Sequence, residues 1–131
     1  MLVVDDDRNM RLTLALIMGD EGYQVLTADN GTQALGILRR RPVDVILLDA
    51  KMPDMNGDEA CARAKQLRPG TTVIMITAHV ADDTARNALA KGASHILYKP
   101  LDIDRLLGLV RQAGVRQLLP VTAARDAASG T

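Results

Sequence analysis

Three consecutive aspartates, Asp5, Asp6 and Asp7, follow the short apolar run 2–4, and Asp49 closes the run 43–48, which is apolar apart from Asp44. Thr77 follows the β-branched stretch 72–76, and Lys99 stands just beyond the short segment 95–97. Carboxylates gathered in one crevice repel: two unit charges about 4 Å apart cost up to about 4 kcal/mol at an effective dielectric of about 20. A cation is therefore expected among them. Magnesium fits best, because it is a hard ion that takes oxygen ligands in an octahedron and retains waters, whereas the acidic run lacks the spacing of a calcium loop. An ion held this way links the carboxylates to a phosphoryl oxygen. Transfer then needs little more than an in-line nucleophile and compensation for charge on the three equatorial oxygens. Asp49 is the expected nucleophile, since a carboxylate can form an aspartyl phosphate. Lys99 would meet one phosphoryl oxygen as a point charge, while Thr77 Oγ and nearby backbone N–H groups would satisfy another.

These residues act together only if the chain brings several segment ends to one edge. The runs 2–4, 25–28, 43–48, 72–76 and 95–97 read as five strands. The run 43–48 lacks strict alternation, as suits a central parallel strand covered on both faces. Helical spacing covers 8–21, with Met10, Leu14, Ile17 and Met18 on one face and Gly22 as a stop. A second helix is predicted over 32–40, capped by Asp29 or Asn30, with Ala34, Leu35 and Leu38 inward. A third covers 58–66 with Ala60, Cys61 and Ala64 inward, and a fourth opens at Asp82 or Asp83 and runs to Lys91, with Gly92 in a left-handed cap. Asp102 begins a fifth, whose Leu106, Leu107 and Val110 share a face. The stretch 50–57, with Pro53, Asp54, Asn56 and Gly57, is rich in turn formers.

Alternating strands and helices with short loops predict an α/β fold, an open doubly wound parallel sheet of five strands flanked by five helices. Ligands of such sheets bind beyond the carboxyl ends of the strands. Asp5, Asp6, Asp49, Thr77 and Lys99 all fall there, while Asp29 is the only such residue after 25–28. Taken singly, Asp7, Asp29 and Asp58 read as capping or solvated residues. A cis Lys99-Pro100 peptide would turn the lysine back over the crevice.

Size and composition limit the alternatives. A chain of 131 residues suits one domain. It has no Phe or Trp and two tyrosines, so its core must be aliphatic. Sixteen basic and sixteen acidic side chains cancel, which leaves no global field to collect nucleic acid or anionic lipid. The single Cys61 rules out an internal disulfide or a cysteine-cluster metal site. No apolar run approaches the roughly 20 residues that span a bilayer, and no signal peptide precedes the first strand, so a cytoplasmic location is expected.

In these motifs the sequence resembles the receiver domain of bacterial two-component response regulators. Leu2-Val3-Val4-Asp5-Asp6-Asp7 is similar to that family's first strand and acidic pocket, and Asp49 through Gly57 to the segment from phosphorylated aspartate to turn glycine. Ile76-Thr77-Ala78, Gly92-Ala93 and Lys99-Pro100 complete an ordered likeness over residues 1–113, leaving 114–131 as a helical extension, linker or disordered tail. The resemblance implies a flavodoxin-like sheet in the order 2-1-3-4-5. It implies that Asp6 and Asp49 bind magnesium directly, that Asp5 acts largely through water, and that the Lys51 backbone carbonyl completes the protein ligands. A histidine kinase or histidine phosphotransfer protein is the implied donor, and a shift around the fourth helix and fifth strand the implied response. A fused or separate output domain and a phosphorylation-dependent homodimer are compatible with it; membrane contact and direct nucleic-acid contact are not expected. Such a domain catalyses its own phosphorylation and dephosphorylation rather than turning over an external substrate.

The chain departs from the family pattern at three places. Ile96 stands where the family usually carries Tyr or Phe, and Tyr98 is expected to share neither the face nor the role of Ile96. His79 and the Lys51 side chain flank the expected pocket, where either alters how water reaches a phosphate or is simply solvated. Two other readings remain: a receiver-like binding module that works without phosphate, and a haloacid-dehalogenase-like phosphatase with Asp5 as nucleophile and Asp7 as acid/base. The second leaves Asp49 without a role and finds Asn9 where that class has Thr or Val.

Overall fold

The structure is a computed structural model that describes residues 1–80 and 83–114. Its elements are β1 (Leu2–Val4), α1 (Arg8–Asp20), β2 (Leu26–Ala28), α2 (Gly31–Arg40), β3 (Val45–Asp49), α3 (Gly57–Leu67), β4 (Thr72–Thr77), α4 (Asp83–Ala90), β5 (His95–Tyr98) and α5 (Ile103–Gln112). The strands form one sheet in the order β2-β1-β3-β4-β5, with every neighbouring pair parallel. Asp82 and nearly all of the expected extension 114–131 lie outside the described residues; Asp83 is the first residue of α4.

The core explains why β3 shows no polar alternation. Val45 and Leu47 face a cluster completed by Leu14 and Met18 of α1 and Leu106 and Val110 of α5. Ile46 and Leu48 face the opposite cluster, formed with Leu35 and Leu38 of α2, Ala60, Cys61 and Ala64 of α3, and Ala85 and Ala88 of α4. Each residue of the strand therefore meets a helix layer whichever way it points, and all five are buried. Small residues on α3 and α4 let those helices lie close to the sheet, while branched aliphatic strand residues supply the volume.

Polar residues define where the helices begin. Asp7 Oδ1 accepts from the N–H groups of Asn9 at 2.9 Å and Met10 at 3.4 Å, Asn30 Oδ1 from Gln33 at 2.7 Å, and Asp102 Oδ1 from Arg105 at 3.1 Å. Each such cap contributes about 1 kcal/mol by satisfying an otherwise orphaned donor. Asn30, not Asp29, is the α2 cap; the Asp29 N–H instead donates to Gln33 Oε1 at 2.7 Å. Gly92, with φ of 116°, occupies the left-handed position expected after α4.

One expectation about β5 is corrected. Residues two apart along a strand point the same way, so Ile96 and Tyr98 fall on one face of β5, and Leu97 on the other. Ile96 packs against the α2–α4 cluster and Leu97 belongs to the α1/α5 cluster, while Tyr98 stands 41% exposed. Tyr98 thus shares the face of Ile96, one residue pair nearer the carboxyl edge.

Gly57 opens α3 against the end of β3, and its N–H donates to the Ala50 carbonyl at 2.9 Å. A Cβ there would stand 2.8 Å from both the Ala50 Cα and the Asp49 carbonyl oxygen. Backbone atoms cannot rotate out of the way, so Gly57→Ala must push α3 off the strand end. The expected cost is about 1–3 kcal/mol, read as a lower urea midpoint at unchanged m-value.

Candidate functional site

Strand order creates the crevice. The chain runs from β1 outward to β2, then crosses back to β3 on the other side of β1, so the connections leaving β1 and β3 diverge at their carboxyl ends. Register then sets the neighbours. Val4 pairs with Leu48 and Asp49 with Ile76, which places Asp5, Asp49 and Thr77 along the same edge. Thr77 pairs with Tyr98, and Lys99 is the next residue. Its N–H donates to the Thr77 carbonyl at 2.8 Å, and the Lys99-Pro100 peptide is cis.

One carboxylate oxygen from each of Asp5, Asp6 and Asp49 lies within 4.8 Å of the other two. Asp5 is only 2% exposed and Asp49 8%, whereas Asp6 is exposed. Lys99 Nζ reaches Asp5 Oδ2 at 3.4 Å. The Lys51 N–H donates to Asp49 Oδ1 at 3.3 Å, and the Asp7 N–H to Asp5 Oδ1 at 2.9 Å. Thr77 is 1% exposed, and its Oγ accepts from the His79 N–H at 3.2 Å. All five residues singled out by the sequence therefore lie along one edge. Lys51, which forms an isolated antiparallel bridge with Asn56, and His79 are both exposed beside them.

Burial first, and the negative charge of Asp5 second, push the Asp49 carboxyl up to about 7, against the opposing effects of Lys99 and the Lys51 N–H. Lys99 does not offset these effects, so the cluster stays short of positive charge. The donors are all hard carboxylate oxygens converging on one point, which fits a hard divalent cation and gives a softer metal nothing to prefer. The cluster can hold such an ion.

The residues outside the cluster matter as well. Asp7, the acid/base of a dehalogenase-like reading, spends its carboxylate on capping α1. Asp58 pairs with Lys91 at 3.0 Å. Two contacts were not legible in the sequence. Arg11 Nη1 donates to the Asp5 carbonyl at 2.8 Å, clamping the end of β1 from one turn into α1. Asp54 reaches across to the first turn of α2: Oδ1 accepts from Gly31 N at 3.0 Å, and Oδ2 from Thr32 N at 2.8 Å and Thr32 Oγ1 at 2.6 Å. Slight desolvation raises the Asp54 pKa, but the Thr32 and Gly31 hydrogen bonds outweigh it and hold this carboxyl at about 2. In the sequence Asp54 reads only as a turn former, because a contact spanning more than twenty residues leaves no local pattern.

Comparison with known proteins agrees with this geometry. The model of the response regulator receiver domain matches residues 1–111. A response regulator receiver protein of Anaeromyxobacter sp. strain Fw109-5 is 40% identical over 108 residues, covering 82% of this chain and 45% of that protein. The transcriptional regulatory protein GlrR of Escherichia coli strain K12 is 36% identical over 122 residues, covering 93% of this chain and 27% of that protein. The chain thus spans less than half the length of either. A solved response regulator of Burkholderia pseudomallei, with a phosphorylated aspartic acid, a calcium ion and citrate, superposes with a TM-score of 0.76 at 28% identity, covering 81% of this chain and 62% of that one.

The raised Asp49 pKa has a signed consequence for stability. Its carboxyl is neutral in the metal-free fold at pH values where the unfolded chain, near 3.8, has already ionised. Stability is therefore full below the unfolded value and lost as pH rises through about 7. Thermal denaturation in a chelator should show the melting temperature falling across that window. Asp49→Asn should flatten the fall, and millimolar magnesium should reverse it above pH 7; a melting temperature unmoved by magnesium would contradict this account of the cluster.

Proposed function

This chain belongs to the response regulator receiver domain family, and on that premise we propose that Asp49 takes a phosphoryl group from a phosphohistidine donor in a magnesium-dependent reaction. The protein is a phosphoacceptor signalling domain of a two-component system, whose family implies a histidine kinase or histidine phosphotransfer protein as partner. The observation that carries the assignment is the convergence of Asp5, Asp6 and Asp49 within 4.8 Å, with Lys99 at 3.4 Å from Asp5 and Thr77 at the adjacent strand end.

A carboxylate oxygen of Asp49 attacks phosphorus in line, the P–N bond to the donor imidazole breaks, and the imidazole leaves with the bonding electrons. When bound, magnesium supplies positive charge opposite the phosphoryl oxygens. Asp5, Asp6, Asp49 and the Lys51 backbone carbonyl are the groups that would hold it, Asp5 largely through water. Lys99 lies close enough to exchange its Asp5 partner for a phosphoryl oxygen. Thr77 Oγ and the Lys51 N–H would donate to the other oxygens, so that charge developing on the phosphoryl group meets hydrogen-bond donors. Drawing Thr77 toward the phosphate would strain its hydrogen bond with His79 and shift the packing near α4 and β5. Ile96 replaces the usual aromatic residue on that face, so aliphatic repacking carries the response.

Residues 1–113 form the receiver unit in this reading. The greater length of the relatives supports an output module, fused or separate, and a homodimer formed on phosphorylation is one route to it.

Incubation with acetyl phosphate and magnesium should add a single labile phosphoryl group, seen by intact-mass spectrometry. Asp49→Asn should abolish the adduct, and Lys99→Ala should slow its appearance by about a hundredfold. An adduct that survives Asp49→Asn but disappears in Asp5→Asn would favour the dehalogenase-like reading. No adduct on the unaltered protein, from acetyl phosphate or a phosphorylated kinase, would favour a phosphate-independent binding module.

A further inference from the structure

The contact between Asp54 and α2 is unexplained by phosphoryl transfer, and it joins the 50–57 loop to a helix more than twenty residues earlier in the chain. Helix α2 already has its own cap: Asn30 Oδ1 takes the Gln33 N–H. The donors that Asn30 leaves, Gly31 N and Thr32 N, are both taken by one carboxylate from the 50–57 loop, which also takes the Thr32 hydroxyl. Beside this contact, Met55 lies over Gly31 so closely that a Cβ at position 31 would come within 2.6 Å of its Cγ and Sδ. The tip of the loop is thus tied to α2 by a charged contact and an apolar one.

The base of the same loop is closed by the Lys51–Asn56 bridge and by the Gly57 N–H on the Ala50 carbonyl. Lys51 lies in the base anchorage itself, and Asp54 and Met55 restrain the far end of the loop that carries it. Its N–H is directed at Asp49 Oδ1, so the Lys51 backbone stands beside the acidic cluster.

We propose that Asp54 is a positioning residue for the metal site: by latching the 50–57 loop to the first turn of α2, it holds the Lys51 carbonyl where the cation requires it. The inference rests on the magnesium reading above and adds to it a second, remote determinant of affinity. A carbonyl on a fixed loop binds without an ordering cost, whereas one on a free loop must be immobilised as the ion enters. The latch therefore acts on metal affinity and not on the reactivity of Asp49 once the site is filled. It also makes α2, which contributes no ligand, part of the metal-binding machinery.

The test is magnesium titration by calorimetry on the full chain, with phosphorylation by acetyl phosphate followed against magnesium concentration. Asp54→Ala should weaken magnesium binding by about tenfold, the lower end of the effect seen for groups that orient metal ligands. It should leave the rate at saturating magnesium within about twofold of the unaltered protein, and Asp54→Asn, which keeps one acceptor oxygen, should recover part of the affinity. Asn30→Ala serves as the control, because it removes a cap from the same helix without touching the loop. Equal weakening by Asn30→Ala and Asp54→Ala would overturn the proposal in favour of a general effect of helix stability. Unchanged affinity in Asp54→Ala would also overturn it while leaving the magnesium reading intact, whereas an unaltered protein that takes up no magnesium would defeat both. Should Asp54→Ala fail to fold, Thr32→Val removes only the hydroxyl bond and should cost about threefold in affinity; no change there would count against the latch. In metal-free protein, amide hydrogen exchange across 51–56 should quicken in Asp54→Ala, and protection equal to that of the unaltered protein would likewise overturn the proposal.

Discussion

Mutual repulsion among Asp5, Asp6 and Asp49 is the constraint on which this structure turns. Two of the three are buried, their oxygens converge within 4.8 Å, and one lysine faces them. Such a cluster is tolerable only because the rest of the fold holds it together. Two faces of aliphatic packing anchor β1 and β3 side by side, and the resulting stability is spent in part on keeping like charges close. The repulsion leaves a cluster able to hold a divalent cation and an Asp49 carboxyl raised to about 7, poised between protonated and ionised states.

The layers divide this work. On one side of the sheet α1 and α5 bury larger side chains against Val45, Leu47 and Leu97; on the other, α2 packs on Leu35 and Leu38 while α3 and α4 approach on small residues. The second side carries the connections that must come near the site. Gly57 allows α3 to begin almost in contact with Asp49, and Met55 over Gly31 brings the intervening loop against α2. Close backbone approach on this side is what converts strand ends into a pocket edge. Arg11, from the other side, clamps the Asp5 carbonyl and so fixes the end of β1.

The same arrangement separates the acidic cluster from the β4–β5 surface. The acidic cluster sits at β1 and β3, whereas Thr77, His79, Ile96 and Tyr98 lie on β4 and β5 or just beyond. Thr77 is the residue common to both regions, being adjacent in register to Asp49 and hydrogen-bonded to His79. With Ile96 in place of an aromatic side chain and Tyr98 partly exposed on the same face, that surface has less bulk to reorganise around Thr77.

Much of this was written locally in the chain. Fully apolar strands, amphipathic helices with their stop glycines, and polar residues placed just after strands are short-range patterns, because each reflects the period of one element. They determined the alternation of strands and helices, and with the topology rule for parallel sheets they brought Asp5, Asp6, Asp49, Thr77 and Lys99 to one edge. What depended on three dimensions was which side chains met. The choice of Asn30 over Asp29 as cap, the Asp54 bridge to α2 and the Arg11 clamp on Asp5 each depend on how separately folded segments approach one another. The orientation of Tyr98 follows from strand periodicity once β5 extends through residue 98, beyond the predicted segment 95–97. Composition and periodicity report what one segment buries. Hydrogen bonds between segments depend on distances that only packing sets, and a carboxylate twenty residues away leaves no trace in either.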